Sequence, residues 1–291
     1  MALTTSKDLY DPEVWADLAF DAFQGKVVVA GSPAVITDNT LQGQPGSTVT
    51  FPRWAQLTDL VDLTEGVPME PEKLTQTASE AVIKEAGKAV EITDTAQLVG
   101  VGNAQDEAIR QFGILSSRKV DADLIASALA TLPEGVIKAD GSKTASKPLE
   151  ATISKTLTWN GLVDALAPLE DDFEPSEWAG LYIRSEQRAQ IMKDDTFLRA
   201  SEVSAGGAGS IVGRGVIGQI AGLNVYVTNR VPTGKAVMLK NNSLGLLYKR
   251  RPIQERDRDI LKRTTVLTTN MHYATKRVND RGVLALTINA G

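Results

Sequence analysis

The chain has 291 residues, 42% of them hydrophobic and 23% charged, which is ordinary globular usage with apolar material for one large domain or two ordinary ones. It has no cysteine, which excludes disulfides, zinc thiolates, iron–sulfur clusters and thiol nucleophiles; its single histidine, His272, excludes sites built on two imidazoles. The net charge of −5 conceals an asymmetry: residues 1–100 balance to −9, 101–200 to −5 and 201–291 to +9.

Met1–Tyr10 is polar and lacks the basic-then-apolar pattern of a secretory signal. No apolar run approaches the roughly 20 residues that span a bilayer, so the expectation is a soluble protein with no membrane partner. The Asn241-Asn242-Ser243 sequon then carries no meaning. A short helix is expected over Asp11–Phe23, followed by chain punctuated at Gly31-Ser32-Pro33 and Gly43-Gln44-Pro45-Gly46, which reads as an extended arm. Thr48–Leu57 and Lys73–Val90 read as two strand-like runs around Glu65-Gly66-Val67-Pro68-Met69-Glu70-Pro71. The middle of each run is polar on both faces, and such a ribbon is marginal alone in water. It needs another surface to lie on.

Asn103 caps a long helical run in which Ile109, Phe112, Val120, Leu124, Ala128 and Leu132 recur at helical spacing, with Pro133 and Gly135 ending it. Residues 134–155 read as a loop. Beyond them the pattern is mixed α/β. Trp159, Leu162, Val163 and Leu166 mark a helical face, Trp178–Ile183 a strand, and Ser185 the cap of a helix through Met192. Ser204–Gly218 is a Gly-rich loop, and Leu223–Val227, Ala236–Leu239, Val266–Tyr273 and Val283–Ile288 are strands.

The candidates for chemistry fail one by one. Gly213-Arg214-Gly215-Val216-Ile217-Gly218 matches a dinucleotide fingerprint literally, but it follows a Ser/Ala/Gly tract, leads into a strand, and meets no acid before Glu255. Ser116-Ser117-Arg118-Lys119 lacks the companion motifs of an acylating serine. His272 sits in a predicted strand with no nucleophile motif pointing to it, and reads as a hydrogen-bonded structural residue. Glu170, Asp171, Asp172 and Glu174, with Asp194 and Asp195, suit a solvated face better than a metal site. The basic run Lys249, Arg250, Arg251, Arg256, Arg258, Lys262 and Arg263 is interleaved with Glu255, Asp257 and Asp259, which suits an ion-paired protein contact better than a nucleic-acid groove. No enzyme activity, cofactor or metal is expected.

The order of elements carries more than any motif. Gly46-Ser47-Thr48-Val49-Thr50-Phe51-Pro52-Arg53-Trp54 through Leu63-Thr64-Glu65-Gly66, and the returning Ala81–Asp94, resemble the extended loop of the major capsid proteins of tailed bacteriophages with the Hong Kong 97-type fold. Residues 103–132 are similar to that family's spine helix, and Gly218–Pro232 to the Gly-rich loop and strand of its axial domain. The resemblance implies an α+β capsid fold: an N-terminal arm at 1–45, an extended β-hairpin loop at 46–92, a peripheral domain at 93–155, an α/β axial domain at 156–248, and strands returning to the peripheral domain at 249–291.

It further implies a structural subunit of an icosahedral or prolate virion shell, assembled in the host cytoplasm from hexamers and pentamers around double-stranded DNA bound without sequence specificity. Portal and decoration proteins are the partners it suggests. Because only residues 1–45 precede the loop, a separate scaffolding protein is expected. Nothing marks Lys73, Lys84 or Lys88 as reactive, so no covalent cross-link is expected. Related readings are an encapsulin-type compartment and, less well supported, a soluble nucleotide-binding enzyme. The expected inter-subunit contacts are Arg53, Trp54, Asp59, Asp62, Glu65, Glu70 and Glu72 of the loop against Arg250, Arg251, Arg256 and Arg258 of a neighbour.

Overall fold

The computed structural model describes residues 28–38, 46–54, 57–58, 60, 62, 68–69, 71–100, 102–138, 142–167, 169, 173–194, 219–220 and 222–289. The helix expected over Asp11–Phe23, the Gly213–Gly218 motif, and Glu170, Asp171, Asp172 and Asp195 lie outside these residues.

Fourteen strands and four α-helices are described. The strands are β1 (Val35–Asp38), β2 (Thr48–Trp54), β3 (Gln76–Val82), β4 (Lys84–Thr93), β5 (Leu132–Lys138), β6 (Lys143–Ser146), β7 (Leu149–Ser154), β8 (Trp178–Ile183), β9 (Gln219–Ile220), β10 (Leu223–Val227), β11 (Lys235–Lys240), β12 (Leu244–Asp259), β13 (Thr264–Arg277) and β14 (Val283–Asn289). The helices are α1 (Asp94–Val99), α2 (Ala104–Leu129), α3 (Trp159–Leu166) and α4 (Ser185–Ile191).

Three sheets result, in the orders β7-β14-β11-β8-β10-β9, β1-β12-β13-β4 and β2-β3-β5-β6. The six-stranded sheet is apolar on both faces. All six residues of β8 are buried, with Leu181 and Ile183 entering a core under α3 and α4 while Ala179 and Tyr182 enter a second core under α2. A strand covered on both sides loses the polar alternation, which is why this segment reads as a continuous apolar run. The second core also takes Leu244, Leu246, Met271 and Tyr273 from β12 and β13. Helix α2 is thus clamped between two sheets by Val120, Leu124, Ile125 and Ala128.

The N-cap prediction for α2 holds: the Asn103 side chain accepts from the amides of Gln105 and Asp106. The C-terminal prediction does not. The helix stops at Leu129, and Leu132, Pro133 and Gly135 belong to β5. The stop comes from a tertiary contact: the Arg277 guanidinium, 2% exposed, donates to the carbonyls of Ala128 and Ala130 at 2.6 and 2.8 Å. Those are among the orphan carbonyls every helix end leaves unpaired. Asp280 at 2.7 Å and Ser146 Oγ at 2.8 Å accept from two further N–H groups. Residues 134–155 are likewise not a loop but β5, β6 and β7. Their turn formers mark breaks between short strands, and pairing of β7 with β14 supplies the order that local sequence does not.

Candidate assembly surface

The hairpin of β2 and β3 pairs from Thr48↔Val82 to Trp54↔Gln76, carrying the chain away from the body. At its root Val49 and Ala81 pack on Leu247 and Ala274, with Phe51 and Ile83 against them. Gly245 of β12 lets Phe51 sit flat on the sheet, since a Cβ there would meet the ring at 2.6 Å. The Lys249 ammonium donates to the Gly46 carbonyl, and the Ile83 amide to the Ser47 carbonyl at 2.8 Å.

A charged hub fastens the root to α2. Asp123 accepts from Lys84 at 2.7 Å, from Lys119 at 3.1 Å and from the Tyr273 hydroxyl, while the Lys84 ammonium sits 5.3 Å from the centre of the Tyr273 ring. Burial works to raise the Asp123 pKa, but the Lys84, Tyr273 and Lys119 donors outweigh it and hold the carboxyl below its usual range. The same burial, with the Asp123 anion beside it, pushes the Tyr273 hydroxyl up.

Beyond the root the hairpin is open to solvent. Trp54, Leu57, Leu60, Met69 and Leu74 are all exposed, Leu60 completely. About ten residues along β4 from the hairpin root, the turn joining β12 and β13 forms a ribbon tip that bares Ile260 and Leu261; Leu98 and Val99 at the end of α1 are exposed as well. Large apolar side chains gathered at two ends of a subunit mark interaction surfaces.

Several sequence-predicted contact residues stand apart from one another in the monomer. Trp54 and Asp62 are exposed, whereas Glu72 is held within the hairpin by the amide and hydroxyl of Thr58, the latter at 2.7 Å. The Arg53 side chain and residues Asp59, Glu65 and Glu70 lie outside the description. Arg258 pairs with Asp94 at 2.9 Å and Arg250 with Glu255 at 3.3 Å, both inside the chain. Arg251 and Arg256 are exposed with no ion-pair partner among the described residues. His272 Nε2 lies 3.6 Å from Glu85 across the sheet, and its buried Nδ1 has no hydrogen-bond partner among the described residues, so the hydrogen-bonded histidine expected from the sequence is not found. Among the described residues no group of three or more metal-ligating side chains comes together.

Sequence reasoning missed the ribbon-tip patch and the Asp123 hub. The first had a signal, the apolar doublet Ile260-Leu261 inside a charged run. The second had only the Lys119–Asp123 pair at i,i+4 spacing, because its other donors lie 39 and 150 positions from Asp123.

Residues 76–286 match the family model described as phage capsid protein. The chain belongs to the phage capsid protein family. This capsid chain is 29% identical over 292 residues to the major capsid protein of Staphylococcus phage phiMR11, covering 99% of itself and 97% of that protein. Its fold matches a structure from Mycobacterium phage Che8 with a TM-score of 0.71 at 14% identity, over 94% of this chain and 96% of that one. The capsid of cyanophage P-SCSP1u matches with a TM-score of 0.68 at 15% identity, over 100% and 96%. The α+β capsid fold of the Hong Kong 97 type is therefore the fold of this chain, and the capsid chain is a structural component of a phage virion. No helix among the described residues is long and apolar enough to cross a membrane.

Proposed function

We propose that this capsid chain closes into an icosahedral or prolate shell of hexamers and pentamers around double-stranded DNA, with the hairpin and the ribbon tip as its two outward contacts. The observation that carries this is the exposed apolar surface at both ends, which no other part of the described subunit covers. In this reading 46–92 is the extended loop, 93–155 with α2 as spine and 249–291 form the peripheral domain, and 156–248 form the axial domain. A separate scaffolding protein, a portal and decoration proteins complete the head, and assembly takes place in the host cytoplasm. No catalytic step is assigned to the subunit.

The charged contact is narrower than the sequence suggests. Arg250 and Arg258 are engaged at home, so of the four arginines expected at this contact Arg251 and Arg256 are left for the acidic hairpin of a neighbour. Exposed pairs are worth about 0–1 kcal/mol each, weak enough for misplaced subunits to leave a growing shell. Reversing both charges (Arg251→Glu with Arg256→Glu) leaves the thermal unfolding of the subunit within about 2 °C of wild type and lowers shell yield severalfold by sedimentation and electron microscopy. Unchanged yield removes these two residues from the contact. Nucleic acid in the purified particles, rather than an enclosed enzyme, distinguishes a genome shell from a cargo compartment.

A further inference from the structure

The face of β13 turned away from α2 carries two buried polar atoms that the fold leaves unanswered. Met271 and Tyr273 enter the core under α2, so Asn270, His272 and Ala274 point the other way, where Ala274 packs on the hairpin root with Phe51 and Ile83. His272 Nδ1 and Asn270 Oδ1 are both buried, and neither has a hydrogen-bond partner among the described residues. The two residues stand two positions apart on one strand face, about 6.6 Å along the backbone. On β4, His272 is opposite Glu85, with Nε2 3.6 Å from the carboxylate, and Asn270 is opposite Gly87, which places no side chain beside it.

The protonation state of the ring decides how many of these groups it can serve. A neutral imidazole has one N–H and one lone pair. With the proton on Nε2 it serves Glu85 and leaves Nδ1 and Asn270 Oδ1 as two acceptors with no proton between them. With the proton on Nδ1 it serves Asn270 and sets a lone pair against a carboxylate. An imidazolium has two donors and serves both, the bond to Glu85 with charge assistance. The surrounding charges are compatible with that state. Arg250 of β12 is opposite His272 and opposes its charge, but Arg250 is paired with Glu255 at 3.3 Å. Lys249 is turned to the Gly46 carbonyl, and the hairpin root presents the apolar Phe51 and Ile83. Lys84, Lys119 and Asp123 form their hub on the opposite face, toward α2.

We propose that His272, Glu85 and Asn270 form a proton-operated catch at the foot of the hairpin: the imidazolium donates from Nε2 to Glu85 and, after rotation of the side chains, from Nδ1 to Asn270 Oδ1. Its position gives the catch its effect. Glu85 is the second residue of β4, three positions after the end of β3, and Tyr273↔Lys84 is the last rung that holds β4 to β13. Fastening Glu85 to His272 clamps the end of the ladder from which the hairpin departs. An ordinary imidazole gains its charge near about pH 6.5. Because only the charged ring holds both partners, the stabilisation is present on the acid side and lost as pH rises. The hairpin foot is firm in mild acid and looser in mild alkali. The catch is a property of the subunit and stands apart from the shell-assembly reading.

The test uses the full-length chain. Its single histidine lets ring nitrogens labelled for magnetic resonance report without background. At about pH 5.5 the ring shows two N–H protons in slow exchange with water. Asn270→Ala speeds exchange of the Nδ1 proton at least tenfold, and Glu85→Ala does the same for the Nε2 proton. Hydrogen exchange followed by mass spectrometry gives the mechanical readout. The ratio of backbone exchange rates at residues 84–87, His272→Gln over wild type, is at least about fivefold at pH 5.5 and under about twofold at pH 8. Both values lie above the range in which Asp123 titrates, so the hub does not enter the comparison. A ring that is neutral at the lower pH, or charged with both protons exchanging as in free imidazolium, overturns the catch, as does a ratio that does not change with pH. If His272→Gln does not fold, Glu85→Ala, at an exposed carboxylate, supplies the ratio instead. Hydrogen exchange reads subunits and particles alike, so a chain that forms no particles fails the assembly reading and not the catch.

Discussion

Asp123 shows how much of the subunit hangs on single side chains. It gathers Lys84 from the hairpin root, Lys119 from its own helix and Tyr273 from β13, so its removal releases three elements together. Asp123→Asn should cost about 2 kcal/mol in denaturant unfolding, in line with hydrogen bonds to a charged group. The pH dependence has a definite sign. A carboxyl held below its unfolded value of about 3.9 contributes stability that is full above that value and lost as pH falls through the lower, folded one. Wild-type subunits should therefore lose stability below about pH 4, and Asp123→Asn should flatten that limb in pH-jump unfolding measurements. Glu107, drawn down to about 2 by Arg110 and then by Gln111, titrates in the same window but lies on the surface and contributes little. Arg277 is the stricter case. Replacing it with methionine leaves two helix carbonyls and Ser146 Oγ without their donor and Asp280 with the Ser146 hydroxyl but no cation, and should cost about 3–5 kcal/mol, visible as loss of soluble folded protein.

At the scale of elements, legibility depended on whether order was local. The start of α2 was readable because Asn103 caps within the next three residues. Strands β8, β10, β11 and β14 were readable because their apolar runs or alternation are intrinsic to the segment. The end of α2 was not, since its stop is Arg277, nearly 150 positions away. The strands β5, β6 and β7 were missed because short polar segments take their conformation from partners, as β7 does from β14. The basic run at Lys249–Asp259 was visible as mixed charge but not as a strand, for pairing with β13 is what makes it one. Where two of these strands approach closely, a methyl group is decisive. A Cβ on Gly87 of β4 would stand 2.6 Å from the Thr269 carbonyl oxygen of β13, a backbone atom that cannot swing aside. Gly87→Ala should force β4 and β13 apart at a cost of about 1–3 kcal/mol, with faster amide exchange along β4 as the measurement.

For the whole molecule, the two exposed apolar ends make the isolated subunit an unfinished object. Leu261→Asp at the ribbon tip should leave unfolding temperature unchanged, because the side chain is 96% exposed, yet reduce shell yield by sedimentation. The sheet order has its own consequence for how the subunit is made. Strand β14 lies between β7 and β11, although it is made after both. Until Val283–Asn289 emerges, β7 has no neighbour in this sheet, β11 is paired on one side only, and Leu284, Leu286 and Ile288 are missing from the core under α3 and α4. Non-local pairing of this kind is slow and leaves nascent chains prone to mispair. It also acts as a timer: until β14 has been made, the chain lacks the rigid body that positions its hairpin and ribbon, so a subunit becomes competent to join a shell only after that strand has paired.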